Sequence, residues 1–218
     1  MPRKKSPELS SAELITPDAS LEELRETAQS CRACDIWQRA TQVVFGEGPS
    51  RAEVMLVGEQ PGNREDLSGR PFVGPAGKLL DDALAEAGID RKQVYVTNIV
   101  KHFNSTTRGN LRIHKRPNAE EIAACRPWLE AEIIKLDPKA IVCLGATAAQ
   151  ALISRDFRVS DQRGEMMKSL LAPLITATVH PSSILRARDD ESRHAEMRRF
   201  VEDLKRIAGH LPPSVLKR

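Results

Sequence analysis

Aromatic side chains are scarce in this chain. Five Phe, two Trp and one Tyr make up 4% of its 218 residues. Any aromatic set beside a glycine-rich loop is therefore a candidate for contact with a ligand. No apolar run approaches the roughly 20 residues needed to cross a bilayer, so no membrane span is expected. The N-terminal Met1-Pro2-Arg3-Lys4-Lys5 leads into polar residues rather than an apolar core. That is not the pattern of a secretory signal, and a cytoplasmic location is expected. There are only four cysteines. In a reducing compartment these point to a metal site or buried thiols rather than a disulfide framework. Excess charge is also slight, at +3, which permits nucleic-acid binding without demanding it.

What is present is enough for one domain. The hydrophobic fraction of 40% supports a real core, and the length suits a single unit with tails. Residues 1–19 are polar, rich in Lys, Ser and Pro, and are expected to be a disordered tail. The domain is expected over residues 20–208, with a C-terminal tail over 209–218. Apolar, strand-like runs occur at Val54 to Val57, Val94 to Val100, Ala140 to Leu144 and Leu174 to Val179. Helical spacing separates them. Ser20 caps a helix over Leu21 to Ala28, and Lys78 to Ala87 repeats apolar residues before Gly88. Asn118 and Glu121 form a capping pair ahead of a long helix to Leu136. Further helices follow at Ala146 to Ile153 and Asp189 to Ile207. Alternating strands and helices with apolar strands predict a three-layer α/β/α fold around a mostly parallel four-stranded sheet.

The organising stretch is Val54 to Gly62. A buried strand breaks at once into Gly58-Glu59-Gln60-Pro61-Gly62. A strand end that turns sharply and carries a carboxylate is a common place for an α/β protein to build a site, although glycine turns also end ordinary strands. Arg70-Pro71-Phe72-Val73-Gly74-Pro75-Ala76-Gly77 is a second glycine-rich loop, and it holds one aromatic. Asn98 closes the second strand, a polar loop from Lys101 to Pro117 follows, and His180-Pro181-Ser182-Ser183 ends the fourth strand. In a parallel sheet these strand ends gather on one edge.

Taken together, these loops resemble the uracil-DNA glycosylase superfamily. Gly58 to Gly62 looks like its first motif, Arg70 to Gly74 its base-stacking segment, Asn98 its base-reading asparagine, and His180 to Arg186 its last motif. The resemblance runs from about Leu21 to Ile207 and implies excision of uracil from DNA, mainly single-stranded, by a monomer. It implies that Phe72 stacks on an extruded base and that Asn98 reads the uracil edge. His180 would donate to uracil O2, Glu59 would stabilise the cationic sugar, and Gln60 would position sugar or base. Arg112, Lys115, Arg116 and Arg186 are candidates for phosphate contact.

Within that superfamily the chain resembles the iron–sulfur branch. Cys31, Cys34 and Cys125 match three of its ligand positions, and His102 stands at the fourth. The implied cofactor is a 4Fe–4S cluster on these residues. By ligand chemistry alone a set of three Cys and one His suits zinc as well. Cys143, in an apolar strand, reads as core. His102, together with Asn110-Leu111-Arg112-Ile113-His114-Lys115, resembles the X-type members. That likeness implies that His114 attacks C1′ of the sugar and leaves a covalent protein–DNA complex. Two basic positions of the X-type loop are missing here. A turnover glycosylase using water, and a cluster-bearing DNA-binding redox sensor, remain the competing readings.

Overall fold

The computed structural model describes residues 9–217. Its strands are β1 (Val54–Gly58), β2 (Val94–Asn98), β3 (Ser105–Arg108), β4 (Leu111–His114), β5 (Ala140–Leu144) and β6 (Leu174–Thr178). Four of them form the central sheet in the order β2-β1-β5-β6, and every pairing in it is parallel. The expected architecture is what the chain adopts.

Strand alternation explains the layers. Met55, Val57, Tyr95, Ile141, Cys143, Ile175 and Ala177 face one core. Val54, Leu56, Val94, Val96, Val142 and Leu144 face the other. The first face is covered by α1 (Ser11–Leu14), α2 (Leu21–Ala28), α5 (Ala119–Leu136) and α6 (Ala146–Leu152). The second is covered mainly by α4 (Pro75–Glu86) and α9 (Asp190–Ala208), through Leu80, Leu84, Phe200 and Leu204. With period-two side chains and apolar residues on both sides, each strand is buried along nearly its whole length. Cys143 is fully buried in β5, as core. Ser20 and Asn118 cap their helices as the sequence suggests, and Asp189 caps α9. Among the described residues no helix is long and apolar enough to cross a membrane.

Several expectations need correction. Residues 1–8 of the expected tail lie outside the described residues, but α1 occupies part of the rest. It is capped by Ser10 with Glu13, and Ser11 Oγ donates to the Ala124 carbonyl at 2.5 Å. The segment after α9 is also packed. Leu211 and Val215 are buried, and the Asp90 and Lys217 amides bond the Val215 and Gly88 carbonyls at 2.8 Å. The polar loop from Lys101 is a hairpin, β3–β4, turned by Gly109 at φ 58. Glycine there suits a two-residue hairpin connection. Three short helices carry no clear signal in the sequence pattern: α3 (Asn63–Ser68), α7 (Val159–Gln162) and α8 (Pro181–Leu185).

Candidate active site

The C-terminal ends of the sheet strands open onto a cavity of about 590 Å³. Glu59, Gln60, Phe72, Asn98, His114, His180 and Arg186 all line it. The chain therefore brings to one hollow most of the residues singled out from the sequence.

Gly58 and Asn98 are register partners at the ends of β1 and β2. A Cβ on Gly58 would lie 2.4 Å from Asn98 Oδ1 and 2.9 Å from Phe72 Cζ. Glycine is what lets the amide and the ring close over the strand end. Asn98 is 3% exposed, and its side-chain amide bonds no described residue. Both its donor and its acceptor are thus left for a ligand. Phe72 is held at φ 56, a left-handed conformation rare for a bulky residue and costly enough to be worth a functional reading. Its carbonyl is pressed against Gly77, and its ring stacks toward His180 at a centroid distance of 6.2 Å.

His180 ends β6 and caps α8. The Ser182 amide donates to its Nδ1 at 3.1 Å, and the Ser182 hydroxyl lies 2.8 Å from the same nitrogen. With Nδ1 accepting, the neutral ring carries its proton on Nε2. Burial, helped by the Arg186 and His114 charges and only partly opposed by Glu59, pushes the ring's pKa down to about 4. At neutral pH, His180 is an uncharged N–H donor to the cavity.

Glu59 follows β1 directly. Its Oε1 lies 3.3 Å from His114 Nε2, Thr147 Oγ1 donates to its Oε2, and Arg116 Nε is 3.9 Å away. Burial alone would raise this carboxyl. The bonds from His114 and Thr147, with the charges of His114 and Arg116, outweigh it and hold Glu59 below its ordinary value. The result is an ionised carboxylate pointed at an imidazole.

His114 is brought there by the hairpin. Alternation along β4 puts Arg112 and His114 on one face, while Leu111 and Ile113 stay exposed. Two residues expected at the ligand instead hold this hairpin. Gln60 donates to the Asn104 and Lys115 carbonyls at 3.3 and 3.0 Å and accepts from the Asn104 amide at 3.0 Å. Its amide is committed to the two stems of the hairpin rather than to sugar or base. Arg112 bonds buried Asp66 at 2.7 Å and Asn63 at 2.9 Å, with its guanidinium over Phe103. It is an internal anchor of the hairpin. Lys115 is exposed and makes only backbone contacts, while Arg186 sits on the cavity wall.

Cys31, Cys34 and Cys125 lie near enough that Cys31 and Cys34 both act electrostatically on Cys125. Burial pushes the Cys125 thiol up to about 12. Two N–H groups nonetheless donate to these sulfurs: Lys101 N to Cys125 Sγ at 3.2 Å and Trp128 Nε1 to Cys31 Sγ at 3.3 Å. His102 is 4% exposed, and burial lowers its pKa to about 4, so the ring is neutral. Among the described residues no three His, Cys, Asp or Glu side chains converge closely enough to hold one metal ion. Buried sulfurs that accept N–H bonds still form donors suited to a group bound through thiolates.

A model of the uracil DNA glycosylase superfamily matches residues 45–205. The chain belongs to this superfamily. It is 37% identical over 194 residues to a type-4 uracil-DNA glycosylase of Thermotoga maritima, covering 88% of this chain and 95% of that protein. It is 44% identical over 137 residues to a type-4 uracil-DNA glycosylase of Sulfurisphaera tokodaii, covering 62% and 59%. It is 37% identical over 173 residues to one of Pyrobaculum aerophilum, covering 76% and 85%.

Sequence reasoning missed Thr147 and Glu65 in this superfamily member. Thr147 stands just after β5, behind Gly145 at φ 96, so the strand–glycine–helix break there carried the same signal as at Gly58. Glu65 accepts from the Gly62 and Gly74 amides at 3.1 and 2.6 Å and clips the two glycine-rich loops together. Nothing in its local sequence marks that role.

Proposed function

We propose that this protein excises uracil from DNA. The observation that carries the reading is one cavity holding the unpaired Asn98 amide, the Phe72 ring, the His180 N–H donor and the ionised Glu59. A base must leave the stack to enter such a pocket, and single-stranded DNA lowers that cost. Phe72 covers the extruded ring. The Asn98 amide donates to uracil O4 and accepts from N3–H, a pattern that cytosine reverses.

As the C1′–N1 bond breaks, its electron pair goes to uracil. The His180 N–H stabilises the charge growing on O2, and no proton need be lost for it to do so. The sugar becomes cationic, and the Glu59 carboxylate stabilises it. One ring nitrogen of His114 then forms a bond to C1′, and the other nitrogen passes its proton to solvent water. The neutral imidazole that results is a poor leaving group, so the protein stays attached to the abasic sugar. Glu59, 3.3 Å from His114 Nε2, is placed to orient the ring.

A second reading keeps uracil excision but lets water attack C1′. It is favoured by Glu59 itself, since an ionised carboxylate held by three partners suits a base for water. Under both readings Cys31, Cys34, His102 and Cys125 hold a 4Fe–4S cluster. When bound, it supplies a rigid tie between the N-terminal segment, the turn after β2 and α5.

The test is incubation with a uracil-containing single-stranded oligonucleotide, followed by assay of free uracil and a denaturing gel. Released uracil with a denaturant-resistant complex, lost in His114→Ser, supports covalent capture. Released uracil with fully recovered free protein leaves the water reading. No released uracil removes both.

A further inference from the structure

The chain buries one ion pair that the proposed chemistry does not use. Lys101 is 1% exposed and Glu132 is fully buried, and Lys101 Nζ lies 2.5 Å from Glu132 Oε2. The same ammonium donates to Thr97 Oγ1 and to the Asn98 carbonyl, both at 2.7 Å. Its three donors are therefore all spent, two of them on the end of β2. Glu132 is saturated in turn, accepting from Tyr95 Oη at 2.9 Å, the Gly46 amide at 3.0 Å and Thr97 Oγ1 at 3.0 Å.

A buried pair of this kind is a poor source of stability, because desolvating both charges offsets most of their attraction. Its position suggests another use. Asn98 must offer its amide at a fixed angle, and that angle follows from the backbone of the Asn98–Lys101 turn. One side of this turn is tied to β1, with the Ile99 and Val100 amides bonding the Gly58 and Glu59 carbonyls at 3.0 Å. The Asn98 carbonyl points the other way, and Lys101 Nζ holds it. Lys101 also reaches the cysteine site through its own amide, which donates to Cys125 Sγ.

We infer that Lys101 is a positioning residue for base reading: its buried ammonium fixes the peptide after Asn98, and so the direction in which Asn98 presents its amide. Glu132 supplies the oxygen that holds that ammonium in place. The inference rests on the uracil-excision reading, and Lys101 touches no substrate itself.

Lys101→Met alone would strand Glu132 as a buried charge, so the informative variant is the double Lys101→Met/Glu132→Leu, which removes both charges together. Glu132→Gln is the second arm. It breaks the ion pair but leaves an amide oxygen for Lys101, and Lys101 keeps its bond to Asn98. Two readouts are taken on the full chain. One is the inhibition constant of free uracil beside the single-turnover rate of uracil release at saturating oligonucleotide. The other is the position of the Asn98 side-chain amide resonances, assigned by their loss in Asn98→Ala.

The expected result is that the double variant melts within a few degrees of the parent, yet its uracil inhibition constant rises about tenfold, roughly the loss of one well-placed hydrogen bond. Its single-turnover release rate changes far less, and the Asn98 amide resonances move. Glu132→Gln keeps both close to the parent. An unchanged inhibition constant and unmoved resonances in a folded double variant overturn the inference. Equal damage from Glu132→Gln also overturns it, since the charge pair rather than the Asn98 contact would then matter. A parent protein that releases no uracil refutes the excision reading instead, and the resonances still decide what Lys101 does.

Discussion

Glu59 Oε1 lies 3.3 Å from His114 Nε2, although the two residues are 55 positions apart and come from different elements. The contact joins the loop after β1 to the β3–β4 hairpin, and Thr147 fixes the other carboxylate oxygen. Replacing Glu59 by Gln keeps the shape and removes the charge. The expected outcome is a fall in single-turnover uracil release of about 10²–10³-fold, the usual cost of losing a preorganised electrostatic partner of the transition state. His114→Ser should slow release much less while abolishing the denaturant-resistant complex. Rapid-quench assays of both variants check this. Equal loss in the two would mean that the residues act as one unit in bond cleavage.

Much of this was legible in the sequence because the signals were local. Apolar strand runs ending in glycine placed β1 and β5, and the Asn118–Glu121 pair placed the start of α5. The residues at strand ends then fell onto one cavity because a parallel sheet leaves them no other edge. What the sequence did not show has one cause. The sequence points Gln60 and Arg112 at a ligand because polar groups in loops commonly face one, but each satisfies a distant partner, Gln60 at Lys115 and Arg112 at Asp66. Their roles depend on the hairpin, and the hairpin's first strand gives no sign of itself: Ser105, Thr106 and Thr107 carry no alternation of apolar and polar residues. Short α1 was hidden for a similar reason, since its burial rests on α5 rather than on its own pattern.

Arg112 gives a second prediction. Asp66 is fully buried, and among the described residues its carboxylate's other bonds come from the Thr41 amide at 2.9 and 3.1 Å. Arg112→Ala strands that carboxylate and should cost about 3 kcal/mol of unfolding free energy. Arg112→Leu with Asp66→Asn should recover most of the stability but not the hairpin's place. Urea denaturation together with amide hydrogen exchange over Ser105 to His114 separates the two effects. On the covalent reading, capture by the double variant equal to the parent's would show that Arg112 does not aim His114.

Two glycines make a matched pair. An alanine Cβ at Gly77 would sit 1.7 Å from the Phe72 carbonyl oxygen, whereas at Gly88 it would meet nothing within 4 Å. Gly88 is nonetheless at φ 76, where a side chain is strained by about 1 kcal/mol. Gly77→Ala has to displace the Phe72 loop, an overpacking cost of about 1–3 kcal/mol. Both variants should therefore melt lower, but only Gly77→Ala should weaken uracil binding. Equal binding in the two would detach Phe72 from base recognition.

His180 sets a pH dependence. Its folded pKa is near 4, because burial disfavours the imidazolium and the Ser182 amide donates to Nδ1. In the unfolded chain the ring titrates near 6.5, so between about 4 and 6.5 the unfolded state binds more protons and stability rises with pH. Read downward, the stabilisation is present at neutral pH and is lost as pH falls through that window. Glu59, Arg186 and His114 face the ring and remain in any variant, so a difference between proteins isolates His180 itself. His180→Asn retains a side chain able to cap α8 but does not titrate. Between pH 7 and 4.5 the parent should lose about 2 kcal/mol more unfolding free energy than His180→Asn. Parallel losses in urea titrations at the two pH values would mean that the folded ring titrates where the unfolded one does, and a smaller loss in the parent than in His180→Asn would mean that the ring is already charged at neutral pH. In that case the uncharged donor assigned to uracil O2 would have to be replaced by an imidazolium.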